Sequence, residues 1–171
     1  MIHTSRLDSP VGDLFLASRE NSLIALTLGK DAEEKLASYL ASQFDDEISR
    51  SPSPQLVTAG EQLERYFEGD LLAFDLNLEP RGTRFQKLVW SALQEIPYGT
   101  TLSYGQLADR LGVEGGMRAV GSANGRNPIP IIIPCHRVIA ADGGLGGFTG
   151  GLEIKHHLLE LERQKRTPTL F

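Results

Sequence analysis

Residues 103–127 read SYGQLADRLGVEGGMRAVGSANGRN, and this stretch decides the fold of the second half of the chain. Ser103 stands before an apolar run and Gln106 follows three residues later, a capping-box pattern that predicts a helix start. Gly112 follows the last apolar residue of the run, which favours a helix end there. After the break VEGG, the segment MRAVGSANGRN predicts a second short helix with many small residues. Two short helices joined by a glycine-containing turn are typical of a helix-turn-helix.

Further helices flank this pair. TRFQKLVWSALQEI predicts a helix with Thr83 as N-cap, stopped by Pro97, and LEIKHHLLELERQ predicts a closing helix. The apolar stripe expected on the first of them consists of Phe85, Leu88, Val89, Leu93 and Ile96. The second half is therefore expected to be mostly helical.

The first half has a different pattern. VGDLFLAS and SLIALTLG flank the polar turn RENS and predict a β-hairpin. DAEEKLASYLASQF predicts a helix with Asp31 as N-cap, and LVTAGEQLERYFEG predicts a second helix ended by Gly69, after a solvated loop SRSPSPQ. LLAFDLNLEP predicts a short strand stopped by Pro80. One face of the first helix is expected to carry Leu36, Tyr39, Leu40 and Phe44.

The charge also divides the chain. The 171 residues have a net charge of −5, but residues 1–83 carry −8 and residues 84–171 carry +3. Only the second half favours a polyanion. With EPRGT as linker, we expect two domains, 1–80 and 81–171.

Composition excludes several classes of protein. No apolar stretch approaches the ~20 residues of a membrane span, and the N-terminus lacks the apolar run of a secretory signal. We therefore expect a cytoplasmic protein. The single cysteine excludes an internal disulfide, and the four histidines lack zinc-site spacing, so no metal is expected.

That cysteine, Cys135, stands in IIIPCHRVIAADGGLGGFTGG, residues 131–151. A lone cysteine is often a small buried hydrophobe, and that alternative stays open here. Pro134 favours irregular backbone, which could display the thiol instead. His136 can reach the preceding side chain only through a bridging water, and it needs a carboxylate to orient it. The closing helix offers Glu153, Glu160 and Glu162, and spacing does not choose among them.

The glycine run DGGLGGFTGG fits neither G-x-G-x-x-G nor a GK[ST] loop, so a nucleotide-binding loop is not predicted. A hairpin or Ω-loop would explain the glycine run structurally, and close approach of the backbone to a ligand would explain it functionally.

The motif PCHRV, with RAVGSANGRNPIP before it and GGFTGGLEIKHHLLELE after it, resembles the O6-alkylguanine-DNA alkyltransferases from about Thr83 to Glu162. The resemblance implies an α/β protein of two domains. The N-terminal domain would be ribonuclease-H-like, with an antiparallel sheet and helices, and the C-terminal domain mostly helical and winged-helix-like. It also implies a protein that flips an alkylated guanine out of duplex DNA and takes the alkyl group irreversibly onto its own cysteine.

The resemblance assigns the chemistry to five residues. Cys135 would be the nucleophile and alkyl acceptor, His136 the water-relayed base, and Glu162 the carboxylate that orients it. Tyr104 would donate a proton to the guanine oxygen as it leaves. Asn127 would tie the helix-turn-helix to the active-site backbone.

The same resemblance implies contacts with DNA and with the base. Arg118 would fill the gap left by the extruded base, and the helix would enter the minor groove. The other residues expected to contact DNA are Ala119, Ser122, Ala123, Asn124 and Gly125. Asn124 occupies a position that is often apolar in the family, and Phe148 stands where many relatives have Tyr. The residues expected to form the base pocket are Val138, Phe148, Thr149, Pro130, Gly146 and Gly150.

No cofactor is expected, and the expected partner is double-stranded DNA carrying O6-alkylguanine, bound by a monomer. O4-alkylthymine is expected as a second substrate. Because Pro130, Gly146 and Gly150 crowd the pocket little, adducts larger than methyl are expected to fit. Two alternatives remain: a lesion-binding alkyltransferase-like protein without transfer, against which Cys135 argues, and a Cys/His hydrolase, for which the spacing offers no oxyanion loop.

Overall fold

The computed structural model describes residues 1–166, and contacts between Cα atoms divide the chain into two compact units, Met1–Arg81 and Gly82–Phe171. The first unit contains a four-stranded sheet. Its strands are β1 (Ile2–Leu7), β2 (Leu14–Arg19), β3 (Ser22–Thr27) and β4 (Ile48–Ser49). Their order is β3-β2-β1-β4. β2 pairs antiparallel with both β1 and β3, and the two residues of β4 run parallel to β1.

The predicted hairpin is confirmed as β2 and β3, which pair from Arg19 opposite Ser22 to Phe15 opposite Thr27. Two helices, α1 (Ala32–Gln43) and α2 (Pro54–Phe67), pack on the sheet. Strand residues and α1 share one apolar core. It consists of Ile2, Ala17, Ile24, Ala25, Leu36 and Leu40, with Phe15, Tyr39 and Phe44 packed against it.

Two expectations for this unit were wrong in detail, and a third was right only in position. Asp31 is the N-cap residue of α1, as predicted, but it lies in the left-handed region with φ 57° and its side chain accepts no capping hydrogen bond. The helix α2 begins earlier than predicted, because Ser53 accepts a hydrogen bond from the Leu56 amide and Pro54 suits the first helical position. The predicted strand 71–80 forms only an isolated bridge between Leu78 and Leu23.

The second unit is mostly helical, as expected. It contains α3 (Arg84–Gln94), β5 (Leu102–Ser103), α4 (Tyr104–Arg110), α5 (Met117–Gly125), a 3-10 turn (Cys135–Arg137), β6 (Val138–Ile139) and α6 (Leu152–Arg166). The two short strands pair in parallel. The predicted capping box of Ser103 with Gln106 at α4 is confirmed, and the predicted N-cap Thr83 forms a capping box with Gln86 at α3. The fold class expected from the sequence is confirmed.

The buried stripe of α3 differs from the prediction by one residue. Leu88 is 53% exposed, whereas Trp90 is buried and donates a hydrogen bond from Nε1 to the Ala123 carbonyl at 2.8 Å. This bond fixes α5 against α3. Leu88 lies off the face formed by Val89, Trp90 and Leu93, which follow the helical period.

The turn of the helix-turn-helix depends on glycine. Gly112 ends α4 with φ 69°, as predicted, and Gly115 has φ 66°, both in the left-handed region that favours glycine. At Gly116 an added Cβ would lie 2.2 Å from the Val113 Cγ1, so the turn between the two helices has room only for glycine there. Among residues 1–166, no helix is both long and apolar enough to cross a membrane.

Candidate functional site

The thiol lies in a short turn that follows a buried apolar segment. The Cys135 amide donates to the Ile133 carbonyl at 2.8 Å, and the Ile133 amide donates to the Ile129 carbonyl at 2.9 Å. Within this segment Ile131 has φ 72°, a conformation that costs a β-branched residue about 1–3 kcal/mol. Strain of this kind persists only where the surroundings fix the backbone, so the turn holds Cys135 rigidly.

Asn127 connects the end of α5 to this segment. Its Nδ2 donates to the Ile133 carbonyl at 2.8 Å, and its Oδ1 accepts from the Ile129 amide at 2.9 Å. The side chain is buried and also interacts with the Cys135 thiol. Asn127 therefore holds the backbone on which the thiol is carried, which is the place the family resemblance gives it.

A buried carboxylate on α6 connects two residues of the 3-10 turn. Glu162 Oε2 lies 2.6 Å from His136 Nε2, and Glu162 Oε1 accepts from Arg137 Nε at 2.8 Å and from the Gly99 amide at 3.2 Å. Burial alone would raise the pKa of Glu162, but the hydrogen bond from His136 and the hydrogen bonds and charge of Arg137 outweigh it and lower the pKa to about 2. Glu162 is therefore ionised. Of the three acidic residues left open by the sequence, only Glu162 touches His136 in the described part of the chain.

The ionised carboxylate fixes the tautomer of His136. A carboxylate oxygen can only accept a hydrogen bond, so Nε2 carries the proton and Nδ1 is left as the basic nitrogen. Nδ1 is buried and has no hydrogen-bond partner among residues 1–166. Burial lowers the pKa of His136, against the raising effect of Glu162, and keeps the ring neutral. His136 is thus poised to take up one proton at Nδ1.

The thiol itself is protonated at rest. Burial raises the pKa of Cys135 to about 11, although the Asn127 side chain and the charge of Lys155 both lower it. At pH 7.5 only roughly a few molecules in ten thousand then carry a thiolate. A reaction at this sulfur needs a base and a nearby positive charge.

Lys155 supplies that charge, although the sequence patterns did not predict it as a site residue. Its side chain is fully buried on α6, where Nζ donates to the Val138 carbonyl at 2.7 Å and to the Gly147 carbonyl at 3.0 Å. Burial lowers the pKa of Lys155 to about 8, partly offset by its proximity to Cys135. The sequence contained a signal for this, because the spacing of Lys155, Leu158 and Glu162 places them on one face of a helix. In the structure all three side chains are buried.

The thiol is not sealed in the core. Cys135 is only 3% exposed, but it lines an open cavity of about 330 Å³, within the ~300–1,000 Å³ typical of small-molecule sites. Other residues around the cavity include Tyr104, Gly121, Asn124, Phe148 and Thr149. The sequence left open whether Cys135 is only a small buried hydrophobe, and its place at this cavity favours an accessible thiol instead.

Tyr104 stands at this cavity at the start of α4. Burial raises the pKa of its hydroxyl above the usual range, against the lowering effect of a hydrogen bond with the Gly147 backbone. The hydroxyl is therefore protonated at neutral pH and able to donate a proton. Gly146, with φ 68°, lies against the ring, and a Cβ there would come within 3.0 Å of Tyr104 Oη.

The residues expected to form the base pocket separate into two groups. Phe148 and Thr149 line the cavity with Cys135. The side chains of Val138 and Pro130 are buried, and the Val138 carbonyl is engaged by Lys155. Gly146 supports Tyr104, and Gly150 is half-buried; neither lines the cavity.

The helix α5 has one exposed face and one buried face. The exposed positions are Met117, Arg118, Ala119, Ser122 and Gly125. Ala123 and Asn124 lie on the buried face, with Asn124 Nδ2 donating to the Cys135 carbonyl at 3.3 Å. The expectation that these two residues contact DNA stays a prediction: both side chains are buried, and Asn124 lies at the cavity that contains Cys135.

A larger cavity of about 580 Å³ lies in the first unit, between α1 and the sheet. It is lined by apolar residues and by Thr4, Ser5, Arg6, Glu33 and Arg50. Its lining contains no cysteine and no histidine. Within residues 1–166, no three His, Cys, Asp or Glu side chains are grouped so that they could hold a metal ion.

Two family models match the chain consecutively. The ribonuclease-like domain of 6-O-methylguanine DNA methyltransferase matches residues 2–80, and the DNA binding domain of the same family matches residues 84–164. The chain belongs to the 6-O-methylguanine DNA methyltransferase family. This agrees with the resemblance found in the sequence.

Individual relatives extend over nearly the whole chain. A methylated-DNA–protein-cysteine methyltransferase of Mycobacterium bovis is 46% identical over 166 residues, covering 96% of this chain and 94% of the relative. One from Methanosarcina acetivorans is 48% identical over 158 residues, covering 91% and 94%. Among solved structures, Mycobacterium tuberculosis OGT in complex with DNA matches with a TM-score of 0.83 and 44% identity, covering 95% of this chain and 94% of that one.

Proposed function

We propose that this protein repairs alkylated DNA by direct reversal, transferring the alkyl group of O6-alkylguanine to Cys135. One observation carries the proposal: the thiol lines a cavity that also contains Tyr104, and the His136–Glu162 pair stands behind it. The membership of the 6-O-methylguanine DNA methyltransferase family supports the same chemistry.

The first step removes the thiol proton. His136 Nδ1 accepts it through a water molecule, and Glu162 stabilises the imidazolium that forms. The Lys155 ammonium lowers the cost of the thiolate, because its charge already lowers the pKa of Cys135. Together these groups overcome the burial that keeps the resting thiol protonated.

The second step is an in-line displacement. The sulfur forms a bond to the alkyl carbon while the bond from that carbon to O6 breaks, and the bonding electrons leave with the guanine. Tyr104 donates a proton to the departing base, and its phenolate regains one from the imidazolium through solvent. The net products are an S-alkylcysteine and guanine with the former thiol proton. No described group offers a route back to the thiol, so each molecule acts once.

Access to the reacting atom requires base flipping, which costs a few kcal/mol and least at a damaged pair. Arg118 on the exposed face of α5 fills the gap in the stack, and the small residues Ala119, Ser122 and Gly125 let the helix approach the minor groove. The protein works as a monomer on chromosomal DNA in the cytoplasm. O4-alkylthymine is a second substrate.

A stoichiometry experiment tests this function. The protein is incubated with excess duplex carrying one O6-methylguanine, and transferred methyl groups are counted per protein molecule. One methyl group per molecule, followed by complete loss of activity, is expected. Tight lesion binding without transfer would indicate a lesion-binding protein, and many turnovers would indicate a hydrolase; either result would refute the proposal.

A further inference from the structure

Asn124 has a carbonyl oxygen that the structure leaves without a partner at the reaction cavity. The residue is 4% exposed, lies on α5 and lines the cavity beside Cys135. Its Nδ2 donates to the Cys135 carbonyl at 3.3 Å. Because a backbone carbonyl can only accept a hydrogen bond, this contact fixes which end of the amide is nitrogen.

The other end, Oδ1, is buried and makes no hydrogen bond to any residue from 1 to 166. A buried amide oxygen without a donor destabilises a protein, so such groups are rare unless a ligand completes them. Oδ1 can only accept a hydrogen bond. The missing partner is therefore an N–H or O–H group that enters the cavity.

The chemistry of the two candidate lesions decides which group this is. Alkylation of O6 removes the proton from N1 of guanine, and N9 is bonded to the sugar. The exocyclic 2-amino group is then the only N–H donor of the base. An O4-alkylated thymine has lost its N3 proton and has no N–H donor at all.

We propose, on the basis of the function proposed above, that Asn124 is a specificity-determining residue whose Oδ1 accepts a hydrogen bond from the 2-amino group of the flipped O6-alkylguanine. A lesion without that amine leaves Oδ1 buried and unpaired in the complex. Sites built to pair with a polar substrate group discriminate strongly against analogues that lack it. Asn124 therefore favours O6-alkylguanine over O4-alkylthymine.

The test removes the donor from the substrate and the acceptor from the protein in turn. Single-stranded oligonucleotides carrying O6-methylguanine or O6-methylhypoxanthine, which lacks the 2-amino group, avoid any difference in base pairing. Transfer rates per unit concentration are measured for the wild type and for Asn124→Leu, which keeps approximate volume without the amide. His157→Ala, an exposed position on α6, serves as the control.

In the wild type and in the control, loss of the amine is expected to slow transfer at least about tenfold, the effect of one buried hydrogen bond and the group left unpaired. In Asn124→Leu, loss of the 2-amino group is expected to change the transfer rate less than about threefold. The rate on O4-methylthymine, relative to that on O6-methylguanine, should rise about tenfold in this variant. Asn124→Ala repeats the comparison in a smaller side chain, and thermal melting shows that each variant is folded.

An equal effect of the amine in wild type and both variants would overturn the inference. If the Asn124 variants slowed transfer equally from O6-methylguanine and from O6-methylhypoxanthine, the inference would also fail, since Asn124 would then act only through the Cys135 carbonyl. Failure of the wild type to take methyl from either oligonucleotide would instead refute the function on which the inference rests.

Discussion

Glu162 Oε2 lies 2.6 Å from His136 Nε2, with both side chains buried. The same carboxylate also binds Arg137, so one residue of α6 orients the His136 ring and neutralises the buried guanidinium of Arg137. Stability and reactivity are therefore linked at this position.

Glu162→Gln is expected to lower the free energy of unfolding by about 3–5 kcal/mol, because it leaves a buried charge without its partner. Transfer should slow at least about a hundredfold, as for loss of a positioned base. Chemical denaturation and transfer rates check both effects. Glu160→Gln is the matched control on the same helix, where solvent screens the pair with Arg163 and its loss is expected to change stability little. Equal losses in the two variants would contradict the account.

Acid should unfold the protein partly through Glu162. Its pKa in the folded state is about 2, below the ordinary value of 4.5, so its stabilising contribution is complete above about pH 4.5 and disappears as pH falls towards 2. The contribution is on the order of 3 kcal/mol. The lowered pKa of His136 acts in the same direction below its ordinary value of 6.5. Denaturation at a series of pH values should show a steeper acid loss in wild type than in Glu162→Gln; identical slopes would exclude this linkage.

Lys155→Met is expected to slow transfer about tenfold or more at pH 7.5, where the ammonium still favours the thiolate. Above pH 8 the lysine loses its proton, so the rates of wild type and variant should converge. Lys165→Met, an exposed position on the same helix, should follow the wild-type pH profile. A constant ratio between wild type and Lys155→Met across pH 7–10 would show that the charge is not involved.

Gly146→Ala should slow transfer without a matching loss of DNA binding, because the new Cβ would come within 3.0 Å of the Tyr104 ring and hydroxyl. Gly143→Ala is the control: it has the same type of positive φ, but its Cβ meets no heavy atom of residues 1–166 within 4 Å. Both should lose about 1 kcal/mol of stability from the backbone conformation. Transfer rates that fall equally in both would mean that the position of Tyr104 does not matter.

Arg118→Ala should weaken repair of duplex DNA more than reaction with the free modified base, since only the duplex must be opened. Arg84→Ala removes an equal charge from an exposed position on α3 and should affect both substrates little. Rates measured on the two substrates separate the roles. Equal losses on both substrates in Arg118→Ala would remove its assigned part in base flipping.

Local signals predicted much of the fold. The capping boxes at Thr83 and Ser103, the left-handed Gly69 and Gly112 and the hairpin depend on neighbouring residues, which the sequence displays directly. The strand β1 was missed because only Ile2 and Leu7 in it are apolar, and its hydrogen bonds come from β2. The 71–80 segment alternates like a strand, but partner strands are not visible in a local pattern.

The site shows the same division between local and distant contacts. The family motif named Cys135, His136 and Glu162, whereas the burial of Lys155 and of Arg137 depends on helix α6 packing against the 3-10 turn. The family resemblance placed Asn124 among the residues expected to contact DNA, whereas the structure buries its side chain beside the thiol. Only the rotation of α5, set by the Trp90 bond to Ala123, turns it inward.

The acceptor residue is the centre of this account, and peptide mapping tests it most directly. After reaction with methylated duplex DNA, mass spectrometry should find one additional methylene mass on the peptide containing Cys135. Cys135→Ala should bind the same DNA and gain no mass. Methylation of any other residue, or transfer by Cys135→Ala, would contradict the account.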